Sequence, residues 1–146
     1  MTDQKQKAFA LLNAWTTCDT TLIADLLDPA YTEIDRPQPD ARGVDGLRAK
    51  LQQFHQAHTD VTLRVVRQIE SGPTVCTEWL IYAMARDPGD AVPKPVRIGG
   101  ISWARFDNGR IVKHRIYRDI VGYLMQRGYR WSGGPASQTA TQERAA

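Results

Sequence analysis

The sequence lacks the features that mark several large classes of protein. It has only two cysteines, Cys18 and Cys76, and neither belongs to a CxxC pattern, so we expect no disulfide framework. Such sparse cysteine is typical of a reducing compartment, and we predict a cytoplasmic protein. No apolar run reaches about 18 residues, and the first residues do not resemble a signal peptide, so we predict no membrane contact.

Dense positive charge is missing as well. The chain has 19 lysine and arginine residues against 16 aspartate and glutamate residues, which gives a net charge of +3. The arginines are scattered along the chain, whereas a nucleic-acid interface needs basic side chains gathered on one face. We therefore predict no nucleic-acid partner, and salt-dependent binding to a duplex would contradict this expectation.

Histidine is scarce, and the three histidines do not form a metal-binding pattern. His55, His58 and His114 are not spaced with an acid as in an HExxH motif, so we predict no metal ion. His55 and His58 lie near the end of a predicted helix, where a cationic imidazole interacts favourably with the helix dipole. We place His114 on the outer surface or in a dimer contact, unless a β-bulge exchanges the faces of its strand.

The remaining composition is that of one globular domain. Apolar residues make up 42% of the 146 residues and charged residues 24%, which suits a soluble domain with a hydrophobic core. From Ser132 onward the residues are mostly small or polar and cannot bury much surface. We predict a single domain over residues 1–131 and a disordered C-terminal tail over residues 132–146.

Apolar periodicity predicts three helices in the first part of the chain. The first is Lys5–Thr17, with Asp3 as its N-cap, and the second is Thr20–Leu27. The third is Val44–Ala57, with an apolar residue at every third or fourth position. A short edge strand, Tyr31–Asp35, lies between the second and third helices.

Alternation predicts four long strands in the rest of the domain. Asp107, Asn108 and Gly109 tolerate the backbone conformations of a tight hairpin turn between the last two strands. A short closing helix follows over residues 122–128. The strands are Val61–Glu70, Thr74–Arg86, Val96–Phe106 and Arg110–Tyr117.

Runs of helices followed by runs of strands are typical of α+β domains. We predict a cone-shaped barrel, in which a curved antiparallel sheet wraps around the three N-terminal helices. The apolar mouth of such a cone is a usual kind of place for a small-molecule site.

Asp119 is the first candidate for chemistry. If the pleat of the last strand continues, Asp119 shares a face with Arg115 and Tyr117, and we predict that this face lines the pocket. Asp119 would then act as a general acid or base, Arg115 would pair with its charge, and the Tyr117 hydroxyl would donate to a developing oxyanion. The alternative is that Asp119 caps the closing helix.

Asp35 is the second candidate acid, because two carboxylates in different environments can take opposite proton-transfer roles. Its alternative role is that of a loop acid that pairs with a neighbouring arginine. Aromatic side chains are candidates to line a pocket for a flat ligand, with core packing as the alternative for each. The candidates that we assign to substrate binding are Trp15, Tyr31, Trp79 and Trp103.

The combined pattern resembles the SnoaL-like polyketide cyclases, a family with the nuclear transport factor 2 fold. The resemblance rests on the order of elements and on three segments, Gly43–Leu47, Val75–Trp79 and Arg105–Ile111, together with Asp119. It covers residues Lys5 to Gly128. It implies an α+β cone, a homodimer packed through the outer face of the sheet, and acid/base chemistry without a cofactor.

The resemblance also implies which acid is catalytic, and the sequence departs from the family near that position. The cyclases use an aspartate after the last strand, and Asp119 matches it by its distance from Gly109. The family often has a tryptophan four residues earlier, where this chain has Arg115. Limonene-type epoxide hydrolases have an acid at the position that Ile116 occupies here, so we do not expect this chain to open epoxides. Ketosteroid isomerases share the fold and use an acid early in the chain, near the position of Asp35.

Two functions remain open at this point. The first is an enzyme that cyclises, isomerises or dehydrates a small, largely apolar carbonyl compound bound in the cone. The second is a small-molecule-binding or protein-interaction module of the same fold without chemistry. An open apolar cavity lined by Asp119 and Asp35 would favour the enzyme, and a cone plugged by aromatic side chains would favour the module.

Overall fold

The structure is a computed structural model that describes residues 1–131 and 142–144. The described chain alternates between helices packed on one side and strands of a curved sheet. The elements in chain order are α1 (Asp3–Thr17), β1 (Leu27–Ile34), β2 (Ala41–Arg42), α2 (Gly43–Ala57), β3 (His58–Ser71), β4 (Thr74–Ala85), β5 (Lys94–Asp107), β6 (Arg110–Arg118), α3 (Ile120–Gln126), β7 (Tyr129–Trp131) and β8 (Gln142–Arg144).

Six strands form one sheet in the order β2-β1-β6-β5-β4-β3. Strands β3 to β6 pair antiparallel, each with the next in sequence, whereas β1 lies parallel to β6. The α+β class and the cone-like wrapping of the sheet around helices are confirmed. The expectation of a purely antiparallel, barrel-like sheet is wrong, because β1 runs parallel to its neighbour and the sheet does not close.

The core lies between the helices and the inner face of the sheet. Helix α1 crosses β3 and β4, and α2 packs against β1. Each aliphatic side chain buried here contributes about 1.5–3 kcal/mol relative to exposure. The side chains exposed by 2% or less include Leu11, Leu12, Leu47, Leu51, Val75 and Ile111.

The predicted second helix is wrong. The segment forms only a short 3₁₀ turn, Ala24–Leu26, and strand β1 begins at Leu27. Leu22 is 82% exposed, so the predicted apolar stripe is not buried as a unit. The Asp19 carboxylate accepts the Thr21 backbone N–H at 2.8 Å, a local turn that competes with helix formation.

Two smaller expectations near the N-terminus also need correction. Thr2 caps α1, because its hydroxyl accepts the Lys5 backbone N–H, so Asp3 is the first residue of the helix and not its cap. Strand β1 is not at the edge of the sheet, since it lies between β2 and β6. With the predicted second helix absent, two helices, not three, precede the long strands.

A β-bulge in β6 decides which side chains of this strand face inward. Arg105 pairs with Lys113, but the next residue, Phe106, pairs with Ile111, so Val112 is an extra residue in β6. Ile111 and His114 are therefore both buried, although they are three positions apart. The bulge makes the face that begins at His114 the inner face of the strand.

The turn between β5 and β6 has the predicted geometry. Asn108 and Gly109 both have positive φ, at 48° and 76°, as a tight hairpin of this sequence requires. Within the described part of the chain, no helix is long and apolar enough to cross a membrane.

The predicted tail is described only in part. Strand β8 (Gln142–Arg144) pairs antiparallel with β7. Residues 132–141 and 145–146 lie outside the described residues, so the proposed tail as a whole stays a prediction.

Candidate active site

A cavity of about 410 Å³ opens between the three helices and the adjoining ends of β1 and β6. This volume falls in the range of small-molecule sites. Its walls include the apolar side chains of Trp15, Phe54, Ile120 and Leu124. Its titratable or charged side chains are Asp35, Lys50, His58, Arg118, Tyr123 and Arg127, and Gln38 and Gln53 are its other polar side chains.

A small inner pocket continues from this cavity into the apolar core. It has a volume of about 20 Å³, on the scale of a single water molecule, because Trp79 and three isoleucines fill the interior. Trp15, Asp35, Phe54 and Arg118 line both spaces. The paired side chains of Asp35 and Arg118 therefore stand where the apolar interior meets the open cavity.

Asp35 is brought to this place by the alternation of β1. Tyr31, Glu33 and Asp35 occur at every second position, and all three are buried, Asp35 to 1% exposure. The Asp35 carboxylate forms two ion pairs, through Oδ2 with Lys50 Nζ at 2.9 Å and through Oδ1 with Arg118 Nε at 3.1 Å. A buried carboxylate is stable only with such partners.

Glu33 belongs to the same group of charges, because it shares Lys50 with Asp35. Its carboxylate contacts Lys50 Nζ at 2.7 Å, His114 Nδ1 at 2.9 Å and the Tyr31 hydroxyl at 3.3 Å. Burial acts to raise the pKa of Glu33, but the hydrogen bonds and charges of His114 and Lys50 outweigh it and hold the pKa at about 2. Burial, reinforced by the charge of Glu33, raises the pKa of Tyr31 well above its ordinary value.

Two fixed cations, Lys50 and Arg118, pair with the two acids. Lys50 Nζ bridges Glu33 and Asp35, so a single ammonium group holds both carboxylates. Arg118 uses only Nε for Asp35, and its two terminal nitrogens have no hydrogen-bond partner among the described residues. Because the Arg118 side chain is 18% exposed and lines the cavity, these nitrogens can donate to an oxygen of a ligand.

A second polar cluster, formed by His58, Tyr123 and Arg127, lines the cavity near α3. His58 Nε2 lies 2.5 Å from the Tyr123 hydroxyl, which also accepts a hydrogen bond of 2.8 Å from Arg127. The Phe54 ring stacks on the His58 ring at a centroid distance of 4.0 Å and meets the Trp15 ring edge-on. Both clusters thus share one aromatic wall.

The sequence pattern predicts that Asp119 points into the pocket, but in the structure its side chain lies outside this cavity. It is exposed and is the N-cap of α3, where its carboxylate accepts the Gly122 backbone N–H at 2.8 Å. Tyr117 is 59% exposed, and Arg115 is also exposed. The expected inner face of β6 is its outer face, and Asp119 and Tyr117 border a shallow depression on that side.

The four predicted aromatic residues separate into different environments. Trp15 lines the cavity, and Trp79 lines the inner pocket. Tyr31 is 1% exposed and contacts Glu33, while Trp103 is 52% exposed on the outer face. Gly100, opposite Trp79 in the sheet, leaves room for the indole, since a Cβ there would lie 2.5 Å from the ring.

Sequence reasoning missed several site residues. Lys50 falls within the apolar stripe of α2, three residues after Leu47 and four before Phe54, and a charge at such a position indicates a buried partner. His114, expected at the surface, is 1% exposed and bound to Glu33, because the bulge in β6 exchanges the faces. The sequence carries no comparable signal for Arg118, His58 and Tyr123.

The comparison with protein families matches this arrangement to a known group. A family model described as SnoaL-like polyketide cyclase matches residues 6–127 of the chain. The chain belongs to this family. No curated protein matches it.

Solved structures show the same fold for this SnoaL-like protein. A SnoaL-like protein of Shewanella putrefaciens CN-32 matches with a TM-score of 0.76 at 17% identity, over 87% of this chain and 97% of that one. IdmH from Streptomyces antibioticus matches with a TM-score of 0.74 at 20% identity, over 86% and 98%. An LEH-like epoxide hydrolase of M. tuberculosis matches with a TM-score of 0.67 at 19% identity, over 85% and 88%.

These comparisons support a fold that hosts enzymes or ligand-binding proteins, and they do not specify a reaction. We expect an open cavity for an enzyme and a cone plugged by aromatic side chains for a binding module, and the structure shows part of each. Aromatic and aliphatic side chains nearly fill the interior, but the mouth remains open and presents Asp35 to a ligand. The mouth of the cone is therefore the part of this structure with room for a small molecule.

Proposed function

We propose that this SnoaL-like protein is a proton-transfer enzyme for small, largely apolar carbonyl compounds. In this proposal Asp35 removes a proton from the carbon next to the carbonyl group, and Arg118 stabilises the oxygen that becomes negative. The observation that carries the proposal is the Asp35–Arg118 pair, joined through Nε, in the wall of the cavity. The terminal guanidinium nitrogens of Arg118 have no partner among the residues that the structure describes.

The step conserves atoms and charge. The carbon–hydrogen bond breaks, the proton passes to a carboxylate oxygen of Asp35, and the electron pair moves into the carbonyl group to give an enolate. Arg118 donates to the enolate oxygen, and Lys50 balances the charge of Glu33 when Asp35 becomes neutral. Return of the proton from Asp35 to another carbon isomerises the compound. Alternatively, the enolate carbon attacks a second carbonyl and closes a ring, and the alkoxide that forms takes the proton back from Asp35.

Two features of the cavity favour this chemistry over simple binding. The donors are fixed by ion pairs before a ligand arrives, so little reorganisation is needed as charge develops. Apolar walls such as Phe54 and Leu124 also exclude water, which strengthens the interaction between Arg118 and an oxyanion. The family description and the structural similarity to an epoxide hydrolase are consistent with an enzyme, but they do not identify the substrate.

The test uses 5-nitrobenzisoxazole, a flat apolar compound that opens to a coloured phenolate when a base removes its carbon-bound proton. We expect the protein to accelerate this reaction and Asp35→Asn to slow it by about 10²–10⁴-fold, the usual contribution of a positioned base. Asp119→Asn is the matched control, because asparagine keeps the helix cap. Equal rates for the two variants, or no acceleration by the unmodified protein, would contradict the proposal.

We also propose that a second copy of the chain covers the outer face of the sheet, which we call the outer patch. Six of its exposed side chains are large and apolar, although they lie among charged ones, and such a cluster favours burial in an interface. Light scattering should give the mass of a dimer for the unmodified protein and of a monomer for Trp103→Glu, and a monomer for both would contradict it. The outer patch comprises Val66, Ile69, Tyr82, Ile101, Trp103 and Tyr117.

A further inference from the structure

The cluster of His58, Tyr123 and Arg127 is not used by the mechanism proposed for Asp35. Among the described residues, no hydrogen bond or ion pair connects this cluster to Asp35 or Lys50. Both groups nevertheless line the same cavity. The cluster is therefore a separate chemical group that a ligand bound in the cavity can reach.

The hydrogen bonds of His58 determine where its proton lies. Nδ1 is 2.8 Å from the backbone carbonyl oxygen of Phe54, which can only accept a hydrogen bond, so Nδ1 carries the hydrogen. In the neutral ring, Nε2 then has a lone pair and accepts the hydrogen of the Tyr123 hydroxyl at 2.5 Å. The order of donors is thus Tyr123 to His58 to the chain backbone.

Arg127 completes the arrangement from the other side. Its Nη1 donates to the Tyr123 oxygen at 2.8 Å, and the guanidinium also pairs with Asp87. The phenolic oxygen has two lone pairs, and Arg127 uses one of them. The other lone pair is available to a hydroxyl group of a ligand.

The charges around the cluster favour this resting state. Burial lowers the pKa of His58, and the neighbouring charges of Arg127, His55 and Arg118 lower it further, against the opposing hydrogen bond to the Phe54 carbonyl. Burial raises the pKa of Tyr123 to about 12. At neutral pH the imidazole is therefore neutral and the phenol keeps its proton, so the Nε2 lone pair is free. The same surroundings disfavour an imidazolium in the empty cavity, and the negative charge that develops on a ligand oxygen beside the pair would offset that cost.

We propose that Tyr123 and His58 form a second proton-transfer pair, which accepts the proton of a hydroxyl or enol group of the substrate. The inference rests on the proposed function and narrows its substrate class to hydroxy-carbonyl compounds and enolised dicarbonyl compounds. The ligand O–H bond breaks and its proton passes to the Tyr123 oxygen, while the Tyr123 proton passes to His58 Nε2. The ligand oxygen keeps the electron pair, and His58 becomes an imidazolium that still donates to Phe54.

The probe for this pair is 4-nitrophenol, whose phenolate absorbs at longer wavelength than the phenol. We expect the phenol to bind in the cavity and to ionise at lower pH than in free solution, because its proton passes to the pair. Tyr123→Phe should abolish this spectral shift. Tyr82→Phe removes a hydroxyl from the outer patch, on the side of the sheet away from the cavity. It is the matched control and should leave the shift unchanged.

A second variant separates proton acceptance from simple positioning. Glutamine at position 58 can accept the Tyr123 hydrogen bond but cannot take up a proton, so His58→Gln should retain phenol binding within about twofold and lose the shift. Nitrogen NMR of the unmodified protein should show His58 Nε2 gaining a hydrogen when the phenol binds. A His58 ring that stays neutral, or a shift that persists in Tyr123→Phe, would overturn the inference.

The two proposals fail in distinguishable ways. Loss of benzisoxazole turnover in Asp35→Asn, together with an unchanged phenol shift in Tyr123→Phe, would leave the proposed function standing and reject the second pair. A phenol shift that depends on Tyr123 and His58, with no effect of Asp35→Asn on benzisoxazole turnover, would reject Asp35 as the base. Circular dichroism of each variant shows whether its fold is intact.

Discussion

Asp35 and Asp119 occupy matching places in the sheet and have opposite environments. Each directly follows a strand, β1 or β6, and these strands are parallel neighbours. Asp35 is 1% exposed and is held by Lys50 and Arg118, whereas Asp119 is exposed and caps a helix. The position of an acid after a strand therefore does not predict a pocket, since the side of the sheet on which the acid lies decides its role.

The alternation of each strand explains the difference. In β1 the inward positions are Tyr31, Glu33 and Asp35, so the residue after the strand continues the inner face. In β6 the inward positions include Ile116, and Arg118 at the end of the strand reaches the cavity. Asp119 comes one residue later, turns outward and begins α3.

The largest expected effect is on the inner acids. Lys50→Met removes the ammonium group that bridges Glu33 and Asp35 and leaves both carboxylates short of a partner in the interior. We expect the free energy of unfolding to fall by about 3–5 kcal/mol, as when one member of a buried ion pair is removed. Urea denaturation measures the loss, and a decrease below about 1 kcal/mol would mean that the inner acids need no such partner.

Lowering the pH should also destabilise the inner acids, because Glu33 is then protonated and loses its ionic contacts. Its pKa is about 2 in the folded protein against an ordinary value of 4.5, so its stabilising effect is complete above about pH 4.5 and is lost as the pH falls toward 2. The difference corresponds to about 3 kcal/mol. The stability advantage of the unmodified protein over Glu33→Gln should shrink between pH 5 and pH 2 in urea denaturation, and an advantage that is constant over this range would contradict the assigned contacts.

Alanine substitutions at two adjacent glycines of β5, Gly99 and Gly100, add one methyl group to each of the two faces of the sheet. A Cβ at Gly100 would lie 2.5 Å from the Trp79 ring and 2.7 Å from the Tyr117 backbone oxygen, whereas a Cβ at Gly99 would meet only Leu80 at 3.4 Å. We expect Gly100→Ala to cost about 1–3 kcal/mol, as overpacking does. Gly99→Ala should change stability by less than about 0.5 kcal/mol. Similar melting temperatures for both variants would show that the inner tryptophan can move.

The smallest effect is expected at Asp119. Asp119→Ala removes the acceptor for the Gly122 N–H and should cost about 1 kcal/mol of stability, while Asp119→Asn should cost little. Thermal unfolding of the two variants measures the difference. Equal losses in both would show that the negative charge, and not the hydrogen bond, matters at this helix end.

Local patterns were enough to predict most of the fold. The Asp107–Gly109 turn and the strands around it depend on residues close in sequence, and their prediction is confirmed. The Thr20–Leu27 helix failed because its apolar spacing does not show that Leu27 pairs with Ile111 on β6. The bulge at Val112 depends on the register between β5 and β6, so the sequence predicts it only as the alternative that would turn His114 inward.

The candidate site was less predictable because its contacts join distant parts of the chain. Asp35 was identified as an acid of interest, but its partners Lys50 and Arg118 are 15 and 83 residues away. Glu33 carries no local signal of burial in the sequence, because only its partners Lys50 and His114 make a buried carboxylate stable at this position. Such pairings follow from the topology and not from spacing.

The parallel pairing of β1 with β6 also has a consequence for synthesis of the protein. Glu33 and Asp35 leave the ribosome early, but His114 and Arg118, which complete their contacts, are made only with β6, the last of the four long strands. Until then the nascent chain holds two acids with half of their partners, and contacts between such distant residues form slowly. An incomplete chain that ends before β6 therefore lacks the part of the cavity wall that Arg118 and the residues of α3 supply.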